Sequence, residues 1–257
     1  TGTTYVSNTT ASQEITYEYD EFGQLIRENN KALDKTYIYE YNDIGNITCV
    51  KEYDYCAPNE VLPKCYKSII YTYDTARPDK LLSVDGNSIS YYNMIGYPRE
   101  YKDERYDWEK DKLSRIHRST FIRDDEHYTT RTFTYDGYGR RTQKYYISGV
   151  KYSGADEVNS YSWSHTNDYT YDNSGRLIRE VRTDRGFSGE VSTIRELVYL
   201  YDESGMIGVM YSYNGSTPQP YYYHRNLQGD VIAIYDANGE KQVEYAYDAW
   251  GNCTIKS

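Results

Sequence analysis

The phrase Tyr-Asp-x-x-Gly, with Asn replacing Asp in some copies, recurs along the chain: YDEFG at Tyr19, YNDIG at Tyr41, YNMIG at Tyr92, YDGYG at Tyr135, YDNSG at Tyr171, YDESG at Tyr201, YDANG at Tyr235 and YDAWG at Tyr247. NLQG from Asn226 keeps the Asn and Gly without the Tyr. A chain that repeats one short phrase is an array of one supersecondary unit. The short Asp or Asn side chain accepts hydrogen bonds from the turn's own backbone, and the Gly takes a positive φ that a Cβ penalises. In hairpins such a type I turn ends in a bulge with Gly in the left-handed region. The turn pairs are therefore Asp20 with Gly23, Asn42 with Gly45, Asn93 with Gly96, Asp136 with Gly139, Asp172 with Gly175, Asp202 with Gly205, Asn226 with Gly229, Asp236 with Gly239, and Asp248 with Gly251.

The flanks predict strands. In ITYEYDEFGQLIRE, Ile15, Tyr17 and Tyr19 alternate with Thr16 and Glu18, the period of a half-buried strand. TYIYEYN before Gly45, TFTYD before Gly139 and VEYAYD before Gly251 alternate in the same way, and GRLIREVR and GDVIAIYD supply returning strands. Asp85-Gly86 and Asn214-Gly215 predict two-residue hairpin tips. No segment keeps a helical period. KDERYDWEKDKLSRIHR from Lys102 reads as a degenerate hairpin around Glu109 to Lys112, with a short helix as the alternative. The prediction is an all-β chain: consecutive β-hairpins in a long, curved antiparallel sheet, either an open fragment or a small shell.

Tyrosine numbers 35 against ten leucines, so the core must hold rings whose hydroxyls need partners. Spacing between phrases is uneven: 12 residues from Tyr235 to Tyr247, 36 from Tyr135 to Tyr171. Propellers and solenoids repeat more strictly, whereas hairpins laid side by side tolerate variable loops. Residues 53–68, 97–131 and 148–166 depart from the pattern and are expected as exposed excursions from a single domain spanning 1–257. A net charge of −10 argues against a nucleic-acid partner and against docking on anionic lipid. No apolar run is long enough to span a bilayer. The chain shows no signal peptide and does not begin with Met, so Thr1 is expected to be an internal cut. Cys56 and Cys65 flank a Pro-containing loop that a disulfide could close, while Cys49 and Cys253 read as unpaired.

Near the C-terminus the phrase becomes YYYHRNLQGDVIAIYDANGEKQVEYAYDAWGN, Tyr221 to Asn252. The run of His224, Arg225, Asn226, Gly229 and Asp230, followed by the YDANG and YDAWGN turns, resembles the conserved segment of the RHS/YD-repeat family. That family includes bacterial RHS proteins, wall-associated proteins, toxin-complex shells and teneurins. The weaker repeats extend the resemblance over most of the chain; residues 97–131 match least. It implies a strip of hairpins wound into a hollow shell, which in many members encloses a C-terminal toxic or variable domain that an internal aspartyl autoprotease cuts free. This chain contains no Asp-Pro, so neither the autoprotease residues nor a toxin carries over. The partners implied are the rest of a parent protein and its cargo domain, in a secreted or cell-surface bacterial setting.

Catalytic chemistry has little foothold. The turn acids come one per tip, whereas calcium loops need several oxygen ligands within one loop. His117, His127, His165 and His224 are not at ligand spacing, and there is no CxxC, HExxH or GxSxG. No catalytic residue, metal or cofactor is expected. Repeated Tyr beside the turns suits cross-strand packing. The aromatics off the repeat positions, Tyr161 with Trp163 and Tyr221, Tyr222 and Tyr223, are the candidates for binding cell-surface glycans. The leading expectation is a non-catalytic wall segment, and the alternative a carbohydrate-binding module.

Overall fold

The structure, a computed structural model, describes residues 4–7, 14–92, 96–152 and 161–256. Among them are twenty-one β-strands and no helix, and the strands pair antiparallel with their neighbours in sequence. The chain divides into two compact units: residues 1–89, 223–235 and 239–257, and residues 90–222 with 236–238.

The first unit runs from β1 (Thr4–Ser7) through β2 (Ile15–Tyr19), β3 (Leu25–Asn30), β4 (Lys35–Tyr41), β5 (Ile47–Asp54), β6 (Lys67–Tyr73) and β7 (Leu81–Val84) into β8 (Asn87–Tyr92). The second holds β9 (Tyr97–Tyr101), β10 (Glu104–Glu109), β11 (Lys112–Ile122), β12 (Asp125–Tyr135), β13 (Arg141–Lys151), β14 (Tyr161–Tyr171), β15 (Leu177–Arg185), β16 (Val191–Asp202) and β17 (Gly205–Tyr213), and most of β18 (Gln219–Arg225). β19 (Val231–Asp236), β20 (Lys241–Tyr247) and β21 (Cys253–Ile255) belong, apart from Asp236, to the first unit.

The register slips at the residue before the motif Tyr at Glu18/Tyr19, Glu40/Tyr41, Thr134/Tyr135, Thr170/Tyr171, Leu200/Tyr201 and Ile234/Tyr235. The phrase is thus a bulged hairpin tip: the extra residue of the bulge and the left-handed Gly bend the strand as it turns.

Residues 97–131 are not excursions. They form β9, β10, β11 and most of β12, joined by two-residue tips at Lys102-Asp103, Lys110-Asp111 and Arg123-Asp124. Lys102, Lys110, Arg123 and Asp124 carry the positive φ there, at 52°, 57°, 50° and 70°. The strands pair across these tips without a Gly, which is why a search for Gly passes over those at Lys102 and Arg123. The Lys102 segment takes the hairpin form around Glu109 and Lys112 rather than the helical one. Asn214-Gly215 opens a longer loop, closed by Ser216 N–H donating to Tyr213 O at 2.9 Å, before the chain pairs again at Gln219.

The buried interior is as polar as it is apolar. Leu25, Tyr39, Cys49, Tyr53, Cys56, Ala233 and Ala246 are buried in the first unit, but the fully buried large side chains are Glu28, Asn29, Asn30 and Thr36. Each of these has hydrogen-bond partners: Asn29 Nδ2 donates to Thr16 Oγ1 at 2.9 Å, and Thr36 Oγ1 accepts from Cys56 N–H at 2.9 Å. Burial of such groups is tolerated only when they are paired.

Candidate functional site

The turn is a module with three linked parts. In the tip at Asp172, Gly175 N–H donates to Asp172 O at 3.0 Å, with Gly175 at φ 85°. The Asp172 carboxylate accepts from Ser174 N–H and Arg176 N–H, both at 2.9 Å, and from Arg176 Nε at 2.7 Å. The Arg176 guanidinium then lies over the ring of the next motif tyrosine, Tyr201, 5.1 Å from its centroid. The tip at Asp136 repeats this, with Arg140 Nε at 2.7 Å and the guanidinium 5.0 Å from the Tyr171 ring.

The phenol of the motif closes the module. Tyr41 OH donates to Leu25 O at 2.7 Å, Tyr171 OH to Arg141 O at 2.8 Å, Tyr201 OH to Leu177 O at 2.8 Å and Tyr247 OH to Val231 O at 2.8 Å. Each acceptor lies two residues past the Gly of an earlier tip, so each of these four tyrosines fastens its own turn to the start of a strand that leaves an earlier one. Tyr171→Phe is expected to lower stability by about 1 kcal/mol, the net worth of one such bond; an unchanged urea midpoint would remove the phenol from the account.

The remaining turn residues follow the same pattern with variations. Asp20, Asn42, Asn226, Asp236 and Asp248 each accept a backbone N–H within their own turn, and Asp202 accepts Ser204 N–H at 2.7 Å. Gly23, Gly45, Gly96, Gly139, Gly205, Gly229, Gly239 and Gly251 all have positive φ. Asn93 lies outside the described residues. A further tip escaped the motif: Gly186 and Gly189 in RGFSGE form it, with Gly189 N–H donating to Gly186 O at 3.0 Å. Its first position is Gly, so no turn carboxylate advertises it.

Within the first unit the two ends of the chain meet on Glu28, which is 0% exposed. Its Oε2 accepts from Tyr39 OH and from Ala249 N–H, both at 3.0 Å, and its Oε1 from Asn30 Nδ2 at 2.8 Å. Asn30 Nδ2 also donates to Tyr247 O at 2.7 Å. Burial pushes the Glu28 carboxyl above its ordinary value; the bonds from Asn30, Ala249 and Tyr39 pull it back, and Asp248 pushes it up further. Here the last YD turn, Asp248 to Asn252, is locked onto β3 and β4, and Trp250 packs edge-on against Tyr39 with centroids 5.8 Å apart. Beside this junction lies a cavity of about 700 Å³, walled by tyrosines of β4 and β6 and by Asp248, Trp250 and Asn252. Nothing in LIRENN distinguishes Glu28 and Asn30 from the polar end of a strand, and Trp250 reads there as a turn residue.

The residues expected to bind glycans are not gathered at one place. Trp163, half-exposed on β14, sits 5.1 Å from Tyr146 in a cluster that includes His165. Tyr221 meets Tyr211 edge-on at 6.2 Å on β18, where Tyr222 is exposed and Tyr223 half-buried. The side chain of Tyr161 lies outside the described residues. Cys56 and Cys65, the pair expected to close a loop, are free thiols. Cys56 is buried with its Sγ toward Val61 O at 3.5 Å, while Cys65 Sγ faces Lys67 O and Ser68 Oγ at 3.2 and 3.5 Å. Hydrogen bonding, rather than a bridge, holds this loop: Thr36 grips the backbone of Cys56.

No family model matches the chain. Over 242 residues, 92% of its length, it is 29% identical to the tRNA3(Ser)-specific nuclease WapA of Bacillus spizizenii. It is 28% identical to the tRNA nuclease WapA of Bacillus subtilis over the same span. The chain spans 8% of the length of each of these relatives. Among solved structures, the crystal structure of TcdB2-TccC3-TEV superposes with a TM-score of 0.68 over 96% of this chain and 12% of that one, at 15% identity. That likeness is one of fold. The shared fold is the strip of consecutive antiparallel hairpins, and the likeness runs along nearly the whole chain.

Proposed function

We propose that this chain is a non-catalytic wall segment of a secreted or cell-surface bacterial RHS/YD-repeat protein, and that the wall encloses a C-terminal toxin or variable domain. The observation that carries this reading is the fold likeness to TcdB2-TccC3-TEV along nearly the whole chain. The similarity to two WapA nucleases supports a toxin-bearing parent. In this reading the relatives' nuclease activity resides outside the segment matched here, and this chain contributes enclosure. The module explains how a strip with few buried apolar groups can serve as a wall: at Tyr41, Tyr171, Tyr201 and Tyr247 a phenol ties the turn to an earlier one, and at Asp136 and Asp172 an arginine bridges to the next motif tyrosine. The partners are then the rest of the parent protein and its cargo. Intact mass and terminal sequencing of the native parent test the reading. A further polypeptide beyond Ser257, associated with the wall as a cut or continuous piece, is expected; a native protein ending near Ser257 overturns it.

A further inference from the structure

The turn beside the Glu28 junction differs from the turns at Asp136 and Asp172 in one chemical respect, which it shares with the turn at Asp20, where neutral Gln24 holds the carboxylate. At Asp136 and Asp172 the turn carboxylate is neutralised by an arginine four residues on, at 2.7 Å in both turns. At Asp248 that position is Asn252, which donates from its backbone N–H at 2.8 Å and from Nδ2 at 2.6 Å but carries no charge. Trp250 N–H, the third donor at 3.0 Å, is also neutral. Among the described residues no cation pairs with Asp248.

The other charges on the lining are already matched. Glu52 lies 3.7 Å from Lys67 and 3.6 Å from Lys35. Counting the lining residues alone, Glu52 and Asp248 against Lys67, the wall holds one carboxylate in excess, set among rings, with Lys35 standing outside it beside Glu52. Tyr37 and Tyr39 stack at 6.4 Å, Trp250 closes against Tyr39, and Tyr71 and Tyr73 stand on the β6 side. The hydroxyls of Tyr37 and Tyr39 are both pushed up, first by burial and then by the surrounding carboxylates, as expected where negative potential gathers. Aromatic faces with an adjacent unpaired carboxylate attract an organic cation through both the ring quadrupole and the charge. The apolar residues Ile47, Val50, Ile69 and Leu81 suit the aliphatic stem that carries such a cation.

We propose that this cavity is a binding site for a basic side chain, Lys or Arg, presented by a polypeptide. The C-terminal turn supplies Asp248 and Trp250, and β4 and β6 supply the tyrosines, so the site exists only while the junction is closed. The proposal stands whether or not the chain encloses a cargo.

Calorimetric titration of the chain with benzoyl-arginine amide, its neutral counterpart benzoyl-citrulline amide, and chitotriose tests it. The cationic probe is expected to bind about tenfold more tightly than the neutral one. Asp248→Asn should erase that preference. The turn tolerates Asn at this position, since Asn42 accepts Ile44 N–H and Asn46 N–H in the corresponding tip. Asp136→Asn, at a turn whose charge Arg140 already matches, should leave the preference intact. Equal binding of the two amides, tighter binding of chitotriose, no binding of any probe, or an equal loss in both variants would each overturn the proposal.

Discussion

Replacing Glu28 with alanine is expected to cost about 3 kcal/mol, as a drop in the urea midpoint, and to free the last YD turn. The substitution leaves Ala249 N–H and Tyr39 OH without their acceptor, and each buried donor so orphaned costs about 1–3 kcal/mol. Asn30 Nδ2 keeps a second acceptor in Tyr247 O and loses less. Against this stands the relief of no longer burying a carboxylate, whose cost shows in the upward shift of Glu28. Orphaned donors and the cavity left behind outweigh that relief. Amide exchange at Ala249 and Trp250 should quicken more than exchange in β14 and β15. A loss below about 1 kcal/mol would mean that the junction contributes little.

The same carboxyl sets a pH dependence with a definite sign. A carboxyl raised in the folded state contributes stability that is fully present below its ordinary value of 4.5 and is lost as pH rises through the folded value. The stability difference between wild type and Glu28→Gln should therefore move in favour of wild type as pH falls. Asp172 behaves oppositely. The Arg176 side chain holds it below its ordinary value of 3.8, so its contribution is present above that value and is lost as acid protonates it. Urea unfolding of Glu28→Gln and Asp172→Asn across pH 3–7 should give slopes of opposite sign relative to wild type; slopes of one sign would contradict the assignment.

Gly208→Ala is expected to cost about 2–3 kcal/mol, for a reason unrelated to turns. Gly208 lies within β17 opposite Tyr222, where a Cβ would stand 2.2 Å from Tyr221 O and 3.2 Å from the Tyr222 Cα. Both are backbone atoms of β18, so the strands must part rather than a side chain swing aside. Gly137→Ala is the control, because nothing lies within 4 Å of the added methyl. Equal effects at the two positions would show that β17 and β18 do not approach this closely.

The sequence made the repeating unit legible and left the rest obscure for identifiable reasons. A YD tip is encoded in five consecutive residues, so Asp172 and Gly175 can be read without any tertiary knowledge. The strands around them are legible because alternation is local. The purpose of Tyr171 was half visible: a phenol needs a partner, but its acceptor, Arg141 O, lies 30 residues away. The β10–β11 hairpin was legible around Glu109 to Lys112, but the tips at Lys102 and Arg123 were obscured because both residues take a conformation that sequence reasoning reserves for Gly, Asn and Asp. The Glu28 junction was hidden most completely. It joins residues 221 positions apart, and its buried members are side chains ordinarily read as surface.

The most direct test of the central claim is protease protection in the native parent protein, read by mass spectrometry. The polypeptide beyond Ser257 should resist digestion while the hairpin wall is folded and be degraded once urea unfolds the wall. Degradation at the same rate in both states would show that the strip encloses nothing.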